Sequence, residues 1–232
     1  GSSNANDYLT TWSSSIAKLN SDVEVPLSNM YTAQKLHVLI PENSIVNFAI
    51  LNSLRVWNLY PIKNKVRCFC NVGAFGIDGG LSTFFGQSVM TDDLCFMVTG
   101  DLAFFYDMNS LGIRHIKNNV RIILVNNNGG IEFKYGVTEE MGKQIDRYIA
   151  AANHFRNSEG WATGNGFKYH AVRTKTEFDA LSNILVSQSE APILVEVFTT
   201  DANESNAMSQ IRKANDTRTL STKIASRLKR FF

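Results

Sequence analysis

Six short apolar runs recur along the chain, at about 46–51, 66–70, 94–99, 120–125, 168–172 and 192–198. Between them the apolar positions fall three and four apart. That spacing predicts helices over about 6–19, 29–39, 79–90, 107–118, 139–157 and 176–187. The second closes before Pro41, and the last opens with Thr176 as N-cap and Glu177 and Asp179 in its first turn. Near-continuous apolar strands alternating with helices describe a sheet covered on both faces. The pattern predicts an α/β fold, a three-layer α/β/α arrangement around a mostly parallel sheet of about six strands.

At 232 residues and 44% hydrophobic content, the chain can bury one substantial core. We expect one domain over 7–210. The opening residues Gly1-Ser2-Ser3-Asn4-Ala5 look like an expression scar over 1–6, which implies a piece cut from a longer protein. A net charge of +2 argues against broad capture of nucleic acid. The tail over 211–232 is locally basic through Arg212, Lys213, Arg218, Lys223, Arg227, Lys229 and Arg230; it reads as a solvated amphipathic helix or frayed terminus before a membrane or RNA contact. No run reaches the roughly 18 to 20 apolar residues of a bilayer span, and no signal-peptide pattern opens the sequence. A cytoplasmic protein without membrane or nucleic-acid partners is expected. Cys68, Cys70 and Cys95 fall inside strand runs and are expected to be buried thiols in a reducing compartment. Cys68 and Cys70 share one strand face, which is a core pattern before it is a metal site.

Two strand runs end in turns rich in oxygen ligands: Gly100-Asp101 after the third, and Asn126-Asn127-Asn128-Gly129-Gly130 after the fourth. The carboxyl ends of parallel strands border one crevice, so Asp101 and Asn128 can face each other. One carboxylate, one amide oxygen and a free carbonyl in the following Gly-rich turn suit a hard cation such as Mg²⁺, which takes its remaining ligands from phosphate and water. The plainer reading makes Asp101 a helix cap and 126–130 a tight turn; the pairing of the two at strand ends favours the ion. Leu51-Asn52-Ser53 offers short polar side chains and backbone N–H groups at a strand-to-helix turn, suited to phosphate oxygens and equally to capping. The polar, Gly-rich stretch 135–166 reads either as a mobile cover over the site or as an ordinary helix and surface loop. Four dispersed histidines lack a Cys or Ser nucleophile context. His37 and His115 read as structural helix residues, and His154 lies in the cover segment within reach of a substrate.

Taken in order, Asn71-Val72-Gly73-Ala74-Phe75-Gly76-Ile77-Asp78-Gly79-Gly80, Gly100-Asp101-Leu102-Ala103-Phe104-Phe105 and Asn126-Asn127-Asn128-Gly129-Gly130 resemble successive landmarks of one family. It is the MenD-like menaquinone-pathway synthases, which make 2-succinyl-5-enolpyruvyl-6-hydroxy-3-cyclohexene-1-carboxylate. The match covers roughly 30–210 and corresponds to their C-terminal cofactor domain. This resemblance implies thiamine diphosphate and Mg²⁺ as cofactors. It implies binding by Asn52, Ser53, Gly76, Ile77, Gly100, Asp101, Leu102, Ala103, Asn128, Gly130 and Ile131, with Asp101, Asn128 and Gly130 on the metal. Asn52 and Ser53 would meet the diphosphate, and Ile77 would lie under the bent cofactor between its rings. The resemblance further implies 2-oxoacid decarboxylation or carboligation in the parent protein and a homo-oligomer. A pyrimidine-binding domain, from the parent chain or a second subunit, would carry the activating Glu. Glu42, Glu132, Glu139 and Glu140 lack the context of that Glu, so no catalytic residue is assigned and the chain alone is expected to be an inactive half-site.

Departures from the family pattern bear on the substrate. Val72 stands where the family has Arg, Phe75 where it has Ser, and Arg55 comes two positions earlier than the family's second Arg, with Trp57 near that place. Val and Phe cannot grip a carboxylate, so the family's substrate pair is not expected to carry over, and a smaller or less acidic acceptor fits better. The rival readings are an acetolactate-synthase-like or simple 2-oxoacid decarboxylase, and a non-catalytic assembly domain of the same fold. A generic nucleotide-binding sheet is disfavoured, because no Gly-rich fingerprint follows the first strand.

Overall fold

The computed structural model of the chain describes residues 3–73, 76–134 and 153–218. Six strands form one sheet, β1 (Ile45–Phe48), β2 (Arg67–Cys70), β3 (Cys95–Gly100), β4 (Val120–Asn126), β5 (Lys168–Val172) and β6 (Ile193–Phe198), in the order β2-β1-β3-β4-β6-β5. Every pairing is parallel. The described helices are α1 (Ser3–Ile16), α2 (Asn29–Leu36), α3 (Asn52–Trp57), α4 (Gly80–Ser88), α5 (Asp101–Asp107), α6 (Glu159–Gly164), α7 (Lys175–Leu185) and α8 (Asp201–Ala214). The three-layer α/β/α expectation holds. Among the described residues, no helix is long and apolar enough to cross a membrane.

The chain divides into two compact units, Val25–Ala207 and a second made of Gly1–Glu24 with Met208–Phe232. In the second unit the rings of Tyr8 and Trp12 meet edge to face on α1, with centroids 6.4 Å apart. There, too, the Asn20 N–H donates to the Asn215 side chain, whose amide donates back to the Asn20 carbonyl. Residues 219–232, most of the basic tail, lie outside the described residues.

The sheet unit follows from strand alternation. On one face Cys95, Met97, Ile122, Leu124 and Leu194 pack against Leu81, Phe84 and Phe85 of α4, Phe104 of α5 and Ala162 of α6. The opposite face takes α2, α3 and α7, with Phe48 and Trp57 rings 5.5 Å apart and Tyr31 and Phe178 rings 6.1 Å apart. Central strands β1, β3, β4 and β6 are buried almost throughout, as two-sided cover requires.

One charged side chain interrupts this core. Arg121 on β4 is fully buried and points to the α7 side, where its Nε donates to the Leu185 carbonyl at 3.0 Å and an Nη to that of Ser187 at 2.6 Å. Its other Nη donates to the carbonyls of Asn118 and Val120. The last carbonyls of a helix have no partner within it and carry the negative end of the dipole, so a buried cation is satisfied there without a carboxylate. Burial lowers the guanidinium's pKa from its ordinary value.

Several sequence expectations shift. The helix placed at 107–118 instead begins at Asp101 and ends at Asp107, followed by a 3₁₀ turn at Met108–Gly112. Gly100, extended at φ −84° and ψ 164°, starts it, and Asp107 ends it by accepting from the Ser82 N–H and hydroxyl at the start of α4. His115 therefore sits in an exposed turn rather than a helix. Of the helix expected at 139–157, residues 139–152 lie outside the described residues and 153–157 are not helical. The N-cap of α7 is Thr174 rather than Thr176: its hydroxyl accepts from the Glu177 N–H, and the Glu177 carboxylate takes the Thr174 N–H in return. Thr174→Ala should lower stability by about 1 kcal/mol in urea denaturation, with Thr176→Ala near neutral.

Cys68 and Cys70 are a second correction. Cys95 is buried as expected, but Cys68 is exposed and Cys70 half-buried. Their strand is the sheet's edge, and an edge strand gets cover from one neighbour only.

Candidate functional site

After β1 the chain goes to β2 on one side, then crosses to β3 on the other. Strand order reverses there, and such a reversal opens a crevice at the carboxyl ends because the two connections leave in opposite directions. An open cleft of about 480 Å³ occupies that place. Its wall comes from the turn after β1 (Leu51, Asn52, Ser53), the start of α5 (Gly100, Asp101, Leu102, Ala103), the turn after β4 (Gly129, Gly130, Ile131) and Ile77. The lining is mostly apolar with a few convergent polar groups, and its size lies within the range of small-molecule sites.

Asp101 is the buried acid of this cleft, 2% exposed. Its Oδ1 accepts from the Leu102 N–H at 2.7 Å, and its Oδ2 accepts from the Gly129 N–H at 3.0 Å. The second bond joins the two strand-end turns that the sequence separates. Asn128 holds φ at 63°, a left-handed conformation that Asn tolerates, and the Asn126 side chain accepts from its N–H. Burial raises the Asp101 carboxyl above the ordinary carboxylate range, opposed by the Leu102 N–H, by His154 and by the Gly129 N–H.

His154 rests on this motif. Its N–H donates to the Asn128 carbonyl at 3.0 Å and its Nε2 lies 3.2 Å from Asp101 Oδ2. Because Nδ1 accepts from the Arg156 N–H, the proton belongs on Nε2, which donates to the carboxylate. The ring meets Phe105 edge to face at 5.2 Å. Behind it, Asn126 donates to the Arg156 carbonyl and to Glu196, and Glu196 also accepts from the Ser158 N–H, the Ser158 hydroxyl and the Tyr169 hydroxyl. These bonds fasten segment 153–158 across the strand ends. The rest of the expected cover, 135–152, lies outside the described residues.

The donor set bears on whether a cation fits. Each carboxylate oxygen has two lone-pair directions. Oδ2 of Asp101 meets two donors and Oδ1 one among the described residues, so one direction on Oδ1 stays open. No cluster of three His, Cys, Asp or Glu side chains among the described residues could hold a metal. An ion here would rest on Asp101 with amide and backbone oxygens of the 128–130 turn, the hard-donor set that suits Mg²⁺.

The remaining candidates divide. Asn52 and Ser53 open α3 but do not cap it: the N-cap is Leu51, which has φ 65° and ψ −120°. Ile77 is half-buried against both the cleft and a smaller adjoining pocket that Gly76 lines. Val72 is half exposed and outside the cleft wall, and Phe75 lies outside the described residues. Arg55 is taken up by an ion pair with Glu132 at the cleft's edge. Glu42 pairs with Lys65, and Glu139 and Glu140 fall outside the described residues. His37, at the end of α2, donates from Nδ1 to the Pro61 carbonyl, 2.8 Å away. The burial of Glu196 and Glu204 has no local signal, since Glu196 sits inside an apolar run and Glu204 in a polar helix.

An all-parallel three-layer sheet with a strand-end cleft, an acid at one strand end and an Asn-Gly turn at the next defines a class of ligand-binding α/β domain. Comparison with known proteins finds relatives for part of their length. The chain is homologous to one part of 2-succinyl-5-enolpyruvyl-6-hydroxy-3-cyclohexene-1-carboxylate synthase. It is 32% identical to the synthase of Christiangramia forsetii over 176 residues, 76% of this chain and 30% of that protein. It is 35% identical to that of Bacteroides fragilis over 178 residues, 76% and 32% respectively. With the Bacteroides thetaiotaomicron synthase it shares 34% over 194 residues, 83% and 35%. The chain thus spans about a third of the length of the curated relatives it matches. No family model matches it.

Proposed function

We propose that this chain is the thiamine-diphosphate- and Mg²⁺-binding domain of a 2-oxoacid decarboxylase or carboligase related to the menaquinone-pathway synthase. The bond from the Gly129 N–H to Asp101 carries the reading, because it brings the two halves of the motif together in the wall of the cleft. Homology to the synthases supports it independently. When bound, the cofactor would supply the electron sink for 2-oxoacid decarboxylation.

In this reading Asp101, the Asn128 amide and the Gly130 carbonyl hold the cation. The N–H groups of Asn52 and Ser53 and the Ser53 hydroxyl face the diphosphate, while Gly100, Leu102, Ala103, Ile131 and Gly76 shape the walls. Ile77 supports the bent cofactor, and the apolar lining excludes water from the reacting end. His154 and Gly129 keep the Asp101 carboxylate aimed. The activating Glu would come from a pyrimidine-binding domain, in the parent chain or a second subunit of a homo-oligomer, which makes the isolated domain inactive.

The substrate is read as altered. Val72 has no charge to offer, and Arg55 is already engaged by Glu132. Calorimetric titration of thiamine diphosphate with Mg²⁺ into the intact protein tests the assignment. Saturable, Mg²⁺-dependent binding is expected; its absence would overturn the reading.

A further inference from the structure

Outside the cation site one buried acid has no part in the function described so far. Glu204, on the first turns of α8, is 2% exposed. Its carboxyl accepts from the Asn29 N–H at 2.9 Å and meets the side chains of Thr199 and Asn52. Asn29 is itself a junction. Its side-chain N–H₂ reaches the Asn52 carbonyl at 3.4 Å, and its Oδ1 accepts from the Trp57 indole at 3.1 Å. Asn29, Ser53 and Trp57 are all buried, and Asn29, Asn52 and Ser53 all line the cleft. The network therefore ends on the residues that open α3.

That turn needs holding. Leu51 lies at φ 65°, a region that side-chain-bearing residues avoid, and strain of this kind persists only where surrounding contacts over-determine it. The same turn, Leu51 to Ser53, lines the cleft.

We propose that Glu204 is a positioning residue for the cofactor's diphosphate: its buried carboxyl holds Asn29 and Asn52, and through them the strained turn at 51–53, in the shape that receives the anion. This rests on the thiamine-diphosphate reading above. The groups meeting Glu204 from α2, α3 and the end of β6 are Asn29, Asn52 and Thr199, all uncharged, while the Asp201 carboxylate bears on it from its own helix. Burial, with Asp201 adding to it, pushes the carboxyl up to about 7 against the opposing hydrogen bonds. The folded state thus favours the neutral acid. The stability this group contributes is fully present below its unfolded value and is lost as pH rises through about 7. Above that range an ionised Glu204 also stands behind an anion-binding turn and weakens it by repulsion.

The test compares the intact wild-type protein with Glu204→Ala and Glu204→Gln, by titration of thiamine diphosphate with Mg²⁺ and by thermal midpoint between pH 6 and 8. Glu204→Ala should weaken binding about tenfold, the effect of one lost charge-assisted or buried hydrogen bond. Glu204→Gln keeps the acceptor and should bind within about twofold of wild type at pH 6, with flatter pH dependence of both affinity and midpoint. Wild-type binding that Glu204→Ala leaves unchanged overturns the positioning role alone. If Glu204→Ala does not fold, the Gln variant decides, and wild-type pH slopes in both readouts overturn the proposal. No binding by the wild type removes the cofactor reading and this inference with it.

Discussion

Asp101→Ala is expected to abolish Mg²⁺-dependent binding of thiamine diphosphate to the intact protein. Partners one step removed from a metal are commonly worth about 10–100-fold in affinity, so loss of the sole carboxylate ligand should cost at least about 100-fold. The substitution also removes the acceptor for the Gly129 N–H, the link between the two strand-end turns. Asp101→Asn separates these effects: it keeps an acceptor for Leu102 and Gly129 but has no charge for the ion. Both variants should fail the titration, while the Asn variant stays folded by circular dichroism. Cofactor binding by Asp101→Asn at wild-type strength would show that the cation does not sit on this residue.

The largest stability effect should come from Glu196→Ala. That carboxylate is fully buried and accepts from Asn126, both donors of Ser158 and the Tyr169 hydroxyl. Removing it strands four donors, three of them in fully buried bonds, a loss on the order of 3–5 kcal/mol. In a domain of this size that corresponds to a thermal midpoint lower by about 10 °C. Hydrogen exchange at 153–158 should accelerate alongside, because Ser158 loses its tie to β6 and Asn126, which holds the Arg156 carbonyl, loses its own buried partner. A midpoint within about 2 °C of wild type would show that the network does not hold the segment.

Much of this architecture was legible in the sequence, for identifiable reasons. Strands buried on both faces are near-continuous apolar runs, so all six appeared, and the oxygen-rich turns marked the ends of β3 and β4. What escaped was set by tertiary context. An apolar run ending at Asp107 gave no sign that Ser82 of α4 would close α5 there. Arg121 and Glu196 interrupt apolar runs, and only the helix end and the 126–158 network reveal why they are tolerated. The exposure of Cys68 and Cys70 depends on which strand lies at the edge, which local pattern does not encode. Thr174 was recoverable, since Thr-x-x-Glu at 174–177 is the capping signature itself. His154 lay in the right segment, but its target could be seen only once Asn128 and Asp101 were adjacent.

The strand order also governs when the cleft can be completed. β5 has β6 as its one neighbour in the sheet, yet precedes it in the chain, and β6 must enter between β5 and β4. During synthesis β5 emerges with no edge to join, and it stays unpaired until residue 198 is available. Glu196 arrives on that same late strand and brings with it the anchor for Ser158 and Asn126. The half of the pocket built by β1 and β3 can therefore assemble early, whereas the His154 side waits for the final insertion. A nascent chain halted between β5 and β6 would present an open edge at β4 and an unfastened 153–158 segment, the kind of intermediate on which chaperones act.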